Sequence, residues 1–281
     1  MARAGRMAIG VLASLCLVAP STASAVGEVR ESGSATAETS PAAASSDVRL
    51  RVPSGLAAGA PLTTMAQIGS TPVTVGVARL ANGQATVAAN LWDGRGVRLP
   101  AYSSSNNPPR AVVRITPVAG SGDPLAPGTS DFTFGIYFKK DAKSSGTEVD
   151  NGDNLLQRGV WTDTAQYKLQ VDGDRPSCVI KGDRGRVIVN SSVLVSSSLW
   201  YQARCTRTGN TVRLTVKEYQ ADGSSHTVVS TGSGTIGSLR WANRQTPVAV
   251  GGALDAQGSI LPHSSDQFNG WVTHPSLDIH D

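Results

Sequence analysis

The stretch "DFTFGIYFKK", residues 131–140, decides the fold class of this chain. Phe132, Phe134, Ile136 and Phe138 share one face, while Thr133, Tyr137 and Lys139 share the other. Successive side chains of an extended strand point to opposite sides, so this alternation predicts a strand with one dry face and one wet face. The same device recurs in "RAVVRITPV" (110–118), "QYKLQV" (166–171) and "TVRLTVKEY" (211–219). Tyr167, Leu169 and Val171 alternate with Gln166, Lys168 and Gln170; Val212, Leu214 and Val216 alternate with Arg213, Thr215 and Lys217. Turn signals stand between these runs at Asp172-Gly173, Gly182-Asp183-Arg184-Gly185, Gly209-Asn210, Asp222-Gly223 and Gly251-Gly252. No window outside the N-terminal apolar run shows a sustained helical face. A parallel sheet would need helical crossovers, so the pattern predicts an all-β chain folded as an antiparallel sandwich or barrel.

The first residues are set aside before any fold argument. Arg3 and Arg6 precede the apolar run Met7–Ala19, and Ala23-Ser24-Ala25 has the small-x-small form of a cleavage site, so residues 1–25 read as a signal peptide. Cys16 follows Leu15, whereas lipid attachment favours a small residue in that position. Residues 26–46 are mostly Ala, Ser, Thr and Gly, too poor in apolar surface to offset the entropy of ordering, and read as a flexible linker. Residues 47–281, about 235 in number, are then a single sandwich or a pair of small ones. The part from 47 to 110 either adds strands to the same sandwich or forms a small extension. No stretch approaches the roughly 18 apolar residues of a transmembrane helix, so the expectation is a secreted, extracellular protein with no transmembrane segment.

Removing the signal peptide lowers the formal charge from +4 to about +2 and leaves two of the three cysteines, Cys178 and Cys205. So small a charge, scattered along strands, argues against a nucleic-acid partner. In "SLWYQARC" (198–205) Tyr201, Ala203 and Cys205 share a face opposite Gln202 and Arg204. In "PSCVIKGDRGRVIV" (176–189) Cys178 shares a face with Ile180, just ahead of a hairpin. Two inward cysteines in an oxidising compartment suit one structural disulfide, worth roughly 3.5 kcal/mol by loop entropy and expected to staple neighbouring strands. Two reactive thiols are the alternative, although no histidine lies near either in sequence.

The chain resembles the laminin-G-like domains of exported actinobacterial proteins, within the concanavalin-A-like lectin and glucanase superfamily. The resemblance runs through "LAPGTSDFTFGIYFKK" (125–140), "NLLQRG" (154–159), "YKLQV" (167–171), "SCVIKGDRG" (177–185), "LWYQARCTRTGNTVRLTV" (199–216) and "FNGWV" (268–272). It is weaker before Leu125, where "GRGVRLP" (94–100) is similar to an early strand. It implies an antiparallel two-sheet jelly-roll sandwich and places Cys178 and Cys205 at the family's paired cysteines. Two positions depart from the pattern: Tyr201 stands where a histidine follows the tryptophan, and Thr273 stands near the place of an acidic residue. The fold serves both binding modules and enzymes, so function depends on the site.

Within "TEVDNGDN" (147–154), Glu148, Asp150 and Asp153 resemble the carboxylate array of laminarinase-type glycoside hydrolases, where one acid attacks the sugar and another protonates the leaving oxygen. Here the last acid is an aspartate, and Asn151-Gly152 interrupts the strand, so a solvated loop is the simpler reading. The same three residues are candidate ligands for calcium, the one cofactor the sequence suggests. His226, His263, His274 and His280 lack zinc spacing, and His274, Asp278, His280 and Asp281 read as a frayed polar tail. No Gly-x-Ser-x-Gly elbow supports a serine hydrolase. Aromatic rings stack on sugar rings, which makes Trp161, Trp241 and Trp271, with Asp266 and Asn269, candidate ligand-binding residues; core packing is the competing explanation for each. The expectation is a secreted, non-catalytic binding module for a carbohydrate or cell-surface ligand. A glucanase-type hydrolase or lyase and an interaction module of an envelope assembly are the alternatives.

Overall fold

The computed structural model describes residues 45–90, 94–144, 152–262 and 266–280. The signal peptide, nearly all of the linker, Glu148, Asp150, His263 and Asp281 lie outside the described residues.

The phenylalanine strand, β7 (Phe132–Lys140), sits in the middle of a nine-stranded sheet. On one side it pairs with β12 (Trp200–Thr208), followed by β13 (Thr211–Tyr219) and β14 (Ser225–Ser233). On the other side it pairs with the last strand of the chain, β16 (Gly270–Ile279). The second half of β16 then pairs with β1 (Ser46–Arg51), which in turn pairs with β2 (Ala66–Gln67). Its first half pairs with β5 (Gly96–Arg98), which carries β4 (Thr86–Ala88). The second sheet runs in the order β11 (Gly185–Asn190), β10 (Arg175–Gly182), β9 (Gln166–Asp172), β8 (Gly152–Arg158), β15 (Val248–Val250), β6 (Arg110–Pro117) and β3 (Val73–Leu80). All of these strand pairings are antiparallel, and no helix occurs among the described residues. The protein is an all-β, two-sheet sandwich of jelly-roll-like form. Strands β1 to β5 are hydrogen-bonded into these same sheets.

The turns follow from local chemistry. The β9–β10 hairpin closes through Gly173 and Asp174, both at positive φ (53° and 62°), the twist a two-residue hairpin prefers. The alternating apolar faces meet between the sheets: Phe132, Phe134, Ile136 and Phe138 of β7 are buried, and Tyr167 of β9 packs its ring 5.5 and 5.1 Å from Phe132 and Phe134.

Cys178 and Cys205 form a disulfide, with Cα atoms 6.2 Å apart. The expectation of a staple between neighbouring strands is corrected here. Cys178 lies on β10 of one sheet and Cys205 on β12 of the other, so the bond crosses the core and ties the sheets face to face. Inward alternation on both strands brings the two sulfurs together, whereas strand neighbours are set by the ladders.

The C-terminal tail also differs from its reading as a frayed segment. His274 and Asp278 lie within β16, which is paired along both edges, and the His280 amide donates to the Asp131 carbonyl at 2.9 Å. Alternating burial of Val272, Leu277 and Ile279 anchors this strand in the core.

Candidate functional site

The outward face of the nine-stranded sheet carries a groove between Arg204 and Ser276, whose common register partner is a glycine. On β7 the outward positions are Thr133, Gly135, Tyr137 and Lys139, and Gly135 leaves bare backbone between Thr133 and Tyr137. Its register partners are Arg204 on β12 and Ser276 on β16. A Cβ placed on Gly135 would lie 3.0 Å from the Ala203 carbonyl oxygen and 3.5 Å from Arg204 Cγ, so a larger residue here would press on β12. Arg204, Ser276, Tyr137, His274, Arg49 and Asp278 line a hollow of about 380 Å³, with the exposed Ile68 at its rim.

A break in β16 shapes one wall. The register with β7 shifts between Thr273 and Ser276, and His274 takes φ +49°. A non-glycine residue in the left-handed region is disfavoured, and a β-bulge re-aims the side chain it carries. Pro275 fits here because a bulge spares it a ladder hydrogen bond. The result places the His274 ring edge-on to Tyr137, with centroids 6.0 Å apart and Nδ1 3.0 Å from the Thr273 hydroxyl.

Tyr137 also faces Tyr219 of β13, ring centroids 6.1 Å apart, and Lys217 stands 4.9 Å from the Tyr219 centroid. Burial, and then the neighbouring Tyr137, push the Tyr219 phenol up to about 12, so that phenol keeps its proton at neutral pH. Arg49 ties down the opposite wall through ion pairs to Asp47 (2.9 Å) and Asp278 (3.7 Å). Arg204 is exposed, and its guanidinium makes no hydrogen bond or ion pair with any described residue. The groove therefore offers aromatic rings, a fixed imidazole and a guanidinium around a backbone floor. Nothing in the sequence pattern marks it except Gly135 and Tyr137 on the wet side of β7.

The residues singled out from the sequence do not converge on one place. Trp161 is 76% exposed, on the turn after β8, where Lys181 Nζ donates to the Trp161 and Asp163 carbonyls at 2.8 and 2.6 Å. Trp241 is only 7% exposed; its ring lies 4.2 Å under the Arg158 guanidinium and edge-on to Tyr167 at 5.8 Å, so the core occupies it. Trp271 is half-buried on the outward face of β16, with Arg98 4.2 Å from its ring centroid and Arg98 paired to Asp141 at 2.7 Å. Asp266 accepts from the Asn154 side chain at 2.9 Å, while its carbonyl accepts from the Asn154 amide at 2.9 Å. Asn269 is buried, donating to the Pro100 carbonyl at 2.8 Å. Asp266 and Asn269 thus hold loops in place.

Of the candidate metal ligands, Asp153 is described: it lies on β8 and is 4% exposed, which corrects the solvated-loop reading for this residue. No group of three or more His, Cys, Asp or Glu side chains poised for a metal occurs among the described residues.

A second hollow, of about 240 Å³, lies at the start of β6. The loop Ala101–Asn106 and Pro108–Arg110 wall it, and Gln267 and Asn269 form its floor. Gln267 spends its amide on backbone groups, accepting from the Ala111 amide at 2.9 Å and donating to the Gly251 carbonyl at 2.8 Å.

A buried polar system absent from the sequence reading sits at the other end of β8. Arg158 is fully buried, pairs with Asp123 at 2.8 Å and donates to the Thr246 carbonyl at 3.0 Å. Burial raises the Asp123 carboxyl above its ordinary 3.8, and Arg158 opposes that shift without reversing it.

The fold and the groove define an antiparallel two-sheet β-sandwich with an open, mixed aromatic and cationic face. No family model matches the sequence, and no curated protein matches it. Among solved structures the chain is similar to the botulinum neurotoxin serotype G binding domain, with 8% identity and a TM-score of 0.47 over 82% of this chain and 46% of that one. It is also similar to the binding domain of Paraclostridial Mosquitocidal Protein 1, with 10% identity and a TM-score of 0.44 over 83% of this chain and 48% of that one. A protein of unknown function from Shewanella oneidensis MR-1 aligns at 12% identity and a TM-score of 0.45, over 84% of this chain and 88% of that one. The chain thus spans under half the length of the toxin chains it matches. Likenesses at this level leave function to the chain's own residues.

Proposed function

We propose that this protein is an exported, non-catalytic binding module of the laminin-G-like kind, holding a carbohydrate or other cell-surface ligand in the groove over Gly135. The observation that carries this reading is the strained bulge at His274, which sets an imidazole against Tyr137 in the wall of that groove. Backbone strain persists only where surrounding structure over-determines it, and such positions concentrate at functional sites. The wall chemistry suits a hydroxylated ligand: Tyr137 offers an apolar ring face, while Arg204, His274 and Ser276 offer polar partners at the rim. The buried disulfide supports the exported setting, since such bonds persist in oxidising compartments. No helix among the described residues is long and apolar enough to cross a membrane.

The test is a glycan-array screen of the mature protein, with and without calcium, followed by calorimetric titration of the hits against Arg204→Ala and Tyr137→Ala. Binding that weakens about tenfold in both variants, each folded by circular dichroism, supports the reading. No bound glycan or cell surface, or hits that both variants retain unchanged, would overturn it.

A further inference from the structure

The hollow at the start of β6 holds a buried cation that the fold leaves unanswered. Arg110 is 9% exposed and lines that hollow, and its guanidinium makes no hydrogen bond or ion pair with any described residue. Other buried guanidinium groups are at least partly engaged by the fold: Arg158 meets Asp123, with one of its nitrogens left without a partner, and Arg207 donates to the carbonyls of Gly209 at 2.7 Å and Gly237 at 2.8 Å. Taking a charge out of water is unfavourable unless a partner is supplied. None of the described residues lining the hollow is acidic, so none of them supplies that partner.

What surrounds Arg110 describes the missing partner. Ser103, Ser104 and Ser105 bring three hydroxyls, Asn106 an amide, and Tyr102 an exposed phenol ring to the walls. The floor is fixed, because Gln267 and Asn269 are held by backbone groups. At about 240 Å³ the hollow is smaller than the roughly 300 Å³ at which pockets for drug-sized ligands begin, so it admits one small ring. A planar guanidinium fork matches a carboxylate with two parallel hydrogen bonds.

We infer that this hollow binds the carboxylate of a single acidic sugar unit, with Arg110 as the anion anchor and the Ser103–Ser105 hydroxyls, Asn106 and Tyr102 around the hydroxylated ring. It shares no residue with the groove over Gly135, so the inference stands apart from the function proposed for that groove.

The test is titration of the full mature protein with sodium glucuronate, glucose and inorganic sulfate, followed by NMR or calorimetry. Glucuronate should bind about tenfold or more tightly than either of the others, and more weakly as salt rises. Arg110→Met keeps the aliphatic stem and should lose that preference. Ser104→Asp, an exposed loop change that brings a competing carboxylate to the anchor, should lose it as well and serves if the buried substitution does not fold. Tyr137→Ala should leave it intact, which separates this site from the groove. Equal affinity for glucose, equal affinity for sulfate, or glucuronate binding unchanged in Ser104→Asp would overturn the inference.

Discussion

The guanidinium of Arg158 lies 4.2 Å from the ring centroid of Trp241, and both residues are sealed inside the sandwich. The tryptophan covers one face of the cation while Asp123 and the Thr246 carbonyl take its hydrogens. Removing Arg158 leaves the Asp123 carboxyl without its ion-pair partner, and removing Trp241 leaves a cavity over the cation. Trp241→Ala and Arg158→Ala should each lower unfolding free energy by about 3 to 5 kcal/mol in urea titrations. A loss below about 1 kcal/mol for both would show that this cluster does not hold the sheets together.

The Asp123 carboxyl carries a linked expectation for pH. Its folded-state pKa is raised above 3.8, so the native state binds its proton more tightly than the unfolded chain does. The stability this group contributes is therefore present in full below pH 3.8 and is lost as pH rises through the higher folded value. Asp123→Asn should remove that decline, so the difference in stability between variant and wild type should change through the window just above pH 3.8. Parallel unfolding curves at every pH would contradict the assignment.

The disulfide between Cys178 and Cys205 closes 27 positions of sequence separation and joins the two sheets. Loop-closure entropy assigns it about 3.5 kcal/mol. Thiol titration of the unfolded, unreduced mature protein should find neither cysteine free, and Cys178→Ser with Cys205→Ser should lower the urea midpoint accordingly. An unchanged midpoint in the double variant would mean that packing alone fixes the sheets.

His274 should respond to glycine and alanine in opposite ways. At φ +49° an L side chain is strained by about 1 to 2 kcal/mol, which glycine relieves and alanine does not. His274→Gly should accordingly be the more stable of the two variants, while both weaken ligand binding in the groove through loss of the ring against Tyr137. The reverse order of stability would mean that the bulge is relaxed.

Gly135 offers a steric test of the same groove. Gly135→Ala places a methyl 3.0 Å from the Ala203 carbonyl oxygen, a contact strand β12 must yield to by a few tenths of an ångström. The expected result is a modest stability loss, about 1 kcal/mol, with a larger loss of ligand affinity. Full affinity in a folded variant would remove the groove floor from the binding surface.

Much of the fold was legible because its signal is local. The period-two alternation of Phe132, Phe134, Ile136 and Phe138 named a half-buried strand, and that strand is β7 with those four side chains buried. The inward faces of Cys178 and Cys205 were legible for the same reason. The sites were not. Trp241 reads from sequence as either a ligand-binding aromatic or a packed one, and what decides for packing is Arg158, a partner 83 positions away.

By itself the sequence determined an all-β chain with inward-facing cysteines, because alternation and turn chemistry act between residues a few positions apart. Tertiary structure alone decided that the disulfide spans the two sheets, that the last strand lies between β7 and β1, and that Tyr137, His274 and Arg204 share a groove. It also decided that Arg110 is buried beside hydroxyls, with no acid among the described lining residues. Those facts are strand register and strand order, set by the summed burial of the whole core, and no short window of residues contains that sum.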